Sequence, residues 1–297
     1  IIFTSGATES INLCLSGLAH TYRKQKNHVI SFATEHAATL MCLENLAKNG
    51  FEITILPVQA SGHIDYDLLS QHIKPTTLMI SAVHVNNEIG VIHNPAQLSA
   101  IASRHGVLLH LDCAQTIGKA PLDLQSSAPD FVSLSAHKVY GPKGIGALLR
   151  RKQLKRKLTP LLFGQTLYNL YRPGTLPTPL IVGMQSAFAL AQNEFADRID
   201  TVHTLHELFV KHLPDTVTWH GDRKSRVPHN INVSLPLSAS TDDIRELCDT
   251  FTLSQASSCS NHTSSHVLRA IGVEQASMQR ALRISLSHTT RQSDARN

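Results

Sequence analysis

The stretch SLSAHKVYGPKGIGALL, from Ser133 to Leu149, sets two apolar runs of strand character around a His-Lys pair and three glycines. Lysine is strongly hydrated and is seldom buried without a partner. Lys138 stands where a strand ends, in a segment kept thin by Gly141, Gly144 and Gly146, which lets the chain pass close to a ligand. The runs on either side, DFVSLSA and GIGALLR, read as two strands joined across that segment.

Upstream the same grammar repeats. IIFTS, HVISFA, FEITILPV, TTLMISAVHV and VLLHLD are short β-branched runs. Between them lie amphipathic stretches. ESINLCLSGLAHTY places Ile11, Leu15 and Leu18 at i, i+4 and i+7, and AATLMCLENLAKNG places Leu40, Leu43 and Leu46 on one face before Gly50. NPAQLSAIASRHG opens on Pro95 and stops at Gly106. Strand–helix alternation predicts an α/β fold with a mostly parallel, doubly wound seven-stranded sheet. Ligands of such sheets bind at the carboxyl ends of the strands.

Beyond RPGTLPTPLIVG (Arg172 to Gly183) the pattern changes. One long helix is expected over roughly Gly183 to His212, followed by NINVSLP, a helix TDDIRELCDTF, a Ser-rich loop, a helix SSHVLRAIG and a strand ALRISLS. The expectation is a large α/β domain over 1–190 and a smaller α+β domain over 191–297, linked by the long helix.

The 297 residues are enough for a substantial core, and 42% apolar with 16% charged residues describes a folded, water-soluble chain. No apolar run approaches a membrane span, and no signal peptide is read. Ile1-Ile2-Phe3 reads as mid-strand, so the sequence is expected to be a piece cut at its N-terminus, and its C-terminal end is expected to be missing too. Five irregularly spaced cysteines without a CxxC argue against a disulfide framework and for a reducing, cytoplasmic setting. Net charge is +5, much of it in RRKQLKRK (Arg150 to Lys157). That run reads as a solvated helix start; without aromatic interleaving it does not point to nucleic acid. His203 and His206 in HTLHE share a helix face but form no metal motif and read as a surface helix.

Reactive side chains gather at the strand ends. TSGATES follows the first strand and opens a helix, so Gly6, Ala7 and Thr8 offer backbone N–H groups and a hydroxyl, a cup for phosphate; read alone it is also ordinary capping. His36 in SFATEHAA is placed to stack on an aromatic ligand, or simply starts a helix. Asn86 and Asn87 in HVNNEIGV offer amides, or form a turn. Asp112 follows a buried run and needs a partner, such as a protonated ring nitrogen, unless it caps the next helix; Gln115 lies three residues on. Lys138, with Ser135 and His137 before it, suits a desolvated amine able to form a Schiff base. A phosphate cup, a ring stacker, a carboxylate and an amine together describe a site for pyridoxal 5′-phosphate.

The ordered set TSGATES, TEH, HVNNEIG, LDCAQ, SAHKVYGPKGIGAL, RPGTLP and SHVLRAIG closely resembles the NifS/IscS-like cysteine desulfurases of the class V aminotransferase family, over nearly the whole chain. The resemblance implies a fold-type-I, pyridoxal-phosphate-dependent homodimer with sites at the subunit interface. It implies that Lys138 is the lysine holding the cofactor and the catalytic acid/base, and that Asp112 pairs with the ring nitrogen. Gln115 and Asn87 would meet the ring hydroxyl, His36 would stack on the ring, and Ala7, Thr8, Ser135 and His137 would line the phosphate site. Thr175 would reach the neighbouring subunit's phosphate. Arg283, with Asn87, would bind the substrate, and Cys259 would be the nucleophile that takes sulfur from L-cysteine as a persulfide, leaving alanine, before passing it to an iron–sulfur scaffold or thiolation carrier. Cys248 and Cys113 read as packing residues.

Several segments depart from the family pattern. The family's segment before the first strand is expected to be missing from this piece of sequence. FGQTLYNLY replaces a Gly-rich GGGQERG-like loop, QASSC replaces SGSAC in a shortened nucleophile loop, and SLSHTT replaces SLGRFTT. A selenocysteine lyase or another β-eliminating enzyme on the same scaffold, and a catalytically impaired paralogue that binds partners, are the alternative readings.

Overall fold

In a computed structural model of the chain, which describes residues 1–165, 170–251, 253–254 and 265–294, the first half alternates as the sequence predicts. It runs β1 (Ile2–Thr4), α1 (Ala7–Tyr22), β2 (His28–Phe32), α2 (Ala37–Lys48), β3 (Glu52–Leu56), α3 (Tyr66–His72) and β4 (Thr77–Val83). Then come α4 (Pro95–His105), β5 (Leu108–Asp112), the short α5 (Leu124–Ser127), β6 (Phe131–Ser135), a 3₁₀ turn over Ala136–Val139, and β7 (Gly146–Arg150). These strands form one seven-stranded sheet in the order β1-β7-β6-β5-β4-β2-β3. β2, β3, β4, β5 and β6 pair in parallel, whereas β7 runs antiparallel to both β6 and β1.

Each central strand is buried on both faces, as an apolar run covered by helices on either side must be. Val29, Met79, Leu108 and Phe131 face α1 and α2, while Ile30, Ile80, Leu109 and Leu134 face α4 and the helix that follows the sheet. α4 illustrates the local logic. Asn94 accepts N–H bonds from Ala96 and Gln97, Pro95 occupies the first turn, and Gly106 closes the helix in the left-handed region at φ 62°.

The second half contains α6 (Thr178–Asn193), α7 (Phe195–His212), β8 (Thr218–Trp219), β9 (Asn230–Ser234), α8 (Thr241–Phe251), α9 (His266–Ala270), α10 (Gln275–Met278) and β10 (Ala281–Ser285). The single long helix expected over 183–212 is two helices, broken at Glu194 with φ −99° and ψ 12°. The two halves serve different cores. α6 packs Ala187 and Ala191 against Val139 beside the 3₁₀ turn, whereas α7 packs Val202 and Leu205 against Ile231 and Val233 of a small antiparallel sheet, β10-β9-β8.

The basic run is also corrected: Arg151 to Leu158 is not helical. Arg150 donates to the Arg156 carbonyl at 3.1 Å and lies over Tyr171, Arg156 lies 5.0 Å over Tyr22, and Arg151 pairs with Asp130 at 2.5 Å. These contacts pin an irregular strap beside the end of α1, where the Lys157 N–H also donates to Tyr22 Oη at 2.9 Å. Cys113 is buried, as expected, but Cys248 is only half-buried on α8. No described helix is long and apolar enough to cross a membrane.

Candidate active site

The carboxyl ends of β1, β4, β5 and β6 open on one edge of the sheet, and there the small sheet closes over a cleft of about 610 Å³. The cleft brings together Ala7, Thr8, His36, Asn87, Asp112 and Gln115 from the large sheet's loops, with Ser135, His137 and Lys138 from the end of β6. Arg283 enters from β10. Thr175 does not join them; it is exposed outside the cleft, and Cys259 lies outside the described residues.

β1 delivers the chain into α1 through a tight turn. Thr4 Oγ1 donates to the Gly6 carbonyl at 3.1 Å and meets Ser10 Oγ at 2.8 Å. The Ala7 N–H then faces Ser135 Oγ at 3.4 Å, and Ser135 Oγ lies 3.2 Å from His137 Nδ1. An anion set between the start of α1 and these side chains would meet backbone N–H, hydroxyl and imidazole donors together with the helix dipole. Glu9, whose carboxyl burial would raise, is held below its usual range by Ser5 N–H and by Arg172, which donates to it at 3.0 Å. That pair ties the RPGT segment to the same turn.

His36 caps α2: its Nδ1 accepts the Ala38 N–H at 3.1 Å, so a neutral ring carries its proton on Nε2. Asp112 is buried, with Oδ1 accepting the Ala114 N–H at 2.9 Å. Burial pushes its carboxyl up, opposed by that N–H and by His36 and Lys138. No helix follows Asp112 directly; residues 114–119 are turns. Asn86 is absorbed by structure, accepting N–H bonds from Glu88 and Ile89 and donating to Thr34, which leaves Asn87 to the cleft. The Asn87 carbonyl accepts from Arg283 Nη1 at 3.3 Å and so joins the two halves of the cleft.

Two expectations need correction. Lys138 is exposed to the cleft in the 3₁₀ turn rather than desolvated, because the turn lifts it off the end of the buried strand. The three glycines do not line the cleft. Gly146 is small because a Cβ there would come within 2.6 Å of Gly6 Cα, and Gly141 because one would come 2.9 Å from the Ala136 carbonyl. The thinness serves strand and helix packing.

The sequence reading also missed residues. Lys119, His229 and Tyr140 line the cleft. Burial, with Lys138 and Arg283 nearby, brings Lys119 down to about 8, and burial brings His229 down to about 3. Tyr140 ends the 3₁₀ turn in the left-handed region at φ 66°, an uncommon place for a bulky side chain. No periodic signal marks Lys119, because residues 114–119 are turns.

The class-V aminotransferase family profile matches residues 1–297. The IscS cysteine desulfurase of Vibrio atlanticus is 40% identical over 294 residues, which cover 98% of this chain and 72% of that protein. A solved NifS-like protein superposes with a TM-score of 0.90 at 31% identity, covering 99% of this chain and 79% of its own. A structure of SspA in complex with cysteine gives a TM-score of 0.85 at 34% identity, covering 96% and 80%.

Proposed function

We propose, for a chain that belongs to the class-V aminotransferase family among its NifS/IscS-like cysteine desulfurases, that this cleft binds pyridoxal 5′-phosphate and L-cysteine. The carrying observation is the convergence, in a cleft of about 610 Å³, of an amine (Lys138), a buried carboxylate (Asp112) and a donor-rich helix start. Its volume suits a small-molecule ligand. The donor set fits the cofactor too. Asp112 alone among the lining residues is acidic, against Lys119, Lys138 and Arg283, so the cleft favours a ligand rich in negative charge.

In this reading Ala7, Thr8, Ser135 and His137 hold the phosphate, and His36 lies on the ring. Asp112 faces the ring nitrogen, while Gln115 and Asn87 face the ring oxygen. When bound, the cofactor supplies an electron sink that makes the substrate Cα proton removable. Lys138 Nζ takes that proton and returns it. Arg283 binds the substrate carboxylate with charge-assisted hydrogen bonds. Cys259 takes the sulfur: the substrate C–S bond breaks, an S–S bond forms on the enzyme, and the carbon skeleton leaves as alanine. The four described cysteines are free thiols, which suits a reducing, cytoplasmic setting.

The chain acts as a homodimer. Thr175 reaches the neighbouring subunit's cleft from a segment near the exposed apolar Phe163 and Leu170. Residues 1–190 form the cofactor domain and 191–297 the smaller domain. The persulfide sulfur goes to an acceptor protein for iron–sulfur cluster assembly or thiolation.

The test is incubation with cofactor, L-cysteine and a thiol reductant, following alanine and sulfide. Wild type makes both, Cys259→Ala binds cofactor without turnover, and Lys138→Ala loses the normal visible band. A wild type that binds cofactor yet turns over selenocysteine alone would overturn the desulfurase reading.

A further inference from the structure

Three cations face this cleft from three elements: Lys119 from the turns after β5, Lys138 from the 3₁₀ turn and Arg283 from β10. The imidazole of His229, at the start of β9, also faces it and is kept neutral by burial. Placing a third cation here works against its neighbours unless it has a task. The Lys119 ammonium donates to Gln115 Oε1 at 2.5 Å. An ammonium has no acceptor to offer, so it can meet only the oxygen end of an amide. The Gln115 Nε2 is then the end left for a ligand, with no partner among the described residues.

We infer that Lys119 is a positioning residue that locks the Gln115 amide so that its NH₂ group, not its carbonyl, is offered to an oxygen acceptor in the cleft. The inference rests on the cofactor reading above, in which that acceptor is the ring oxygen. Without Lys119, either end of the amide can face the ligand. Burial also brings Lys119 down to about 8, so it remains mostly protonated at neutral pH.

The test uses the full chain stripped of cofactor and reconstituted with pyridoxal 5′-phosphate, as wild type, Lys119→Met, Lys119→Arg, Gln115→Ala, Gln115→Glu and the double variant Lys119→Met/Gln115→Ala. The readouts are the cofactor dissociation constant and the midpoint of the pH titration of its visible band. A donor on the ring oxygen and a nearby cation both favour the deprotonated form, so losing them moves the midpoint up. Lys119→Met is expected to weaken cofactor binding by about three- to tenfold and to raise the midpoint by about half a unit to one unit, the scale of one hydrogen bond. Gln115→Ala should weaken binding to the same extent, and the double variant should weaken it little further, as expected of two groups acting as one; of the midpoint shift, only the part due to the direct charge of Lys119 should remain in the Gln115→Ala background. Lys119→Arg should restore both values. Gln115→Glu keeps an acceptor for Lys119 but offers no NH₂, and should bind cofactor more weakly than Gln115→Ala.

The inference is overturned if Lys119→Met matches wild type, if its shift persists in full in the Gln115→Ala background, or if Gln115→Glu binds as wild type does. Because Gln115→Glu retains the partner of Lys119, it decides the matter even where Lys119→Met does not fold. A wild type that takes up no cofactor overturns the cofactor reading itself, and a coloured wild type with unmoved variants overturns only the role of Lys119.

Discussion

His110 and Asp112 stand two residues apart on β5, both buried, and they are polar for opposite reasons. His110 lies in mid-strand. Its Nδ1 meets Ser81 Oγ of β4 at 2.9 Å and its Nε2 meets Ser133 Oγ of β6 at 2.8 Å, so both ring nitrogens are satisfied inside the sheet. Burial drives its pKa down to about 3. His28 repeats the pattern on β2, held by Thr77 at 2.7 Å and Thr54 at 2.8 Å. Asp112 ends the strand. One oxygen accepts the Ala114 N–H, and His36 and Lys138, which oppose the effect of burial on its carboxyl, line the cleft. A buried polar group with all its partners on neighbouring strands is structure; one that looks into a cleft is poised for a ligand.

Breaking the strand-end side of this comparison should have the largest effect. Lys138→Ala should lower alanine production by about 10³-fold or more, the scale expected when a general acid–base is lost, measured at saturating cysteine and cofactor. Asp112→Asn keeps the shape and removes the charge; cofactor affinity should fall by about tenfold or more, while the thermal midpoint stays near that of wild type. Arg283→Met should raise KM for cysteine by about tenfold, the loss of a charge-assisted bond, with a smaller change in kcat.

The mid-strand side should answer in stability alone. His110→Asn should lower the urea midpoint, at a cost of about 1–3 kcal/mol for the hydroxyls left unpaired, without changing cofactor affinity. Its pH dependence sharpens the point. His110 is held in the fold below its ordinary value of 6.5, so its contribution is fully present above pH 6.5. Below that, the unfolded chain binds a proton that the folded chain refuses, and the contribution is lost as pH falls from 6.5 toward about 3. The stability gap between wild type and His110→Asn should therefore narrow by up to ~1.4 kcal/mol per pH unit. A gap that stays constant between pH 7 and 5 would contradict the assignment. The smallest expected effect is Gly141→Ala, where a Cβ would sit 3.1 Å from Ala187 Cβ and 2.9 Å from a carbonyl; a loss of about 1 kcal/mol is expected, from overpacking.

What could be read from the sequence follows from this division. The strands and their ends were legible because short apolar, β-branched runs stop abruptly at Thr4, Val83, Asp112 and Ser135, and the polar residues just beyond them converge wherever parallel strands lie side by side. The break at Glu194 was not legible, because α6 and α7 share one amphipathic period and only their separate cores require two axes. Lys119 was not singled out because its reach to Gln115 depends on turns at 114–119, which carry no periodic signal. The glycines around Lys138 were legible as thinness but not as to its purpose, since sequence does not say whether a ligand or Gly6 lies opposite.

The most direct measurement is a single turnover. The cofactor-loaded chain is mixed with L-cysteine without reductant, alanine is counted, and the protein is mapped by peptide mass. One alanine per cleft, with one added sulfur on the peptide carrying Cys259 and none on Cys113 or Cys248, is the predicted result. Bound cofactor with no alanine, or alanine formed with the sulfur on another cysteine, would contradict the account.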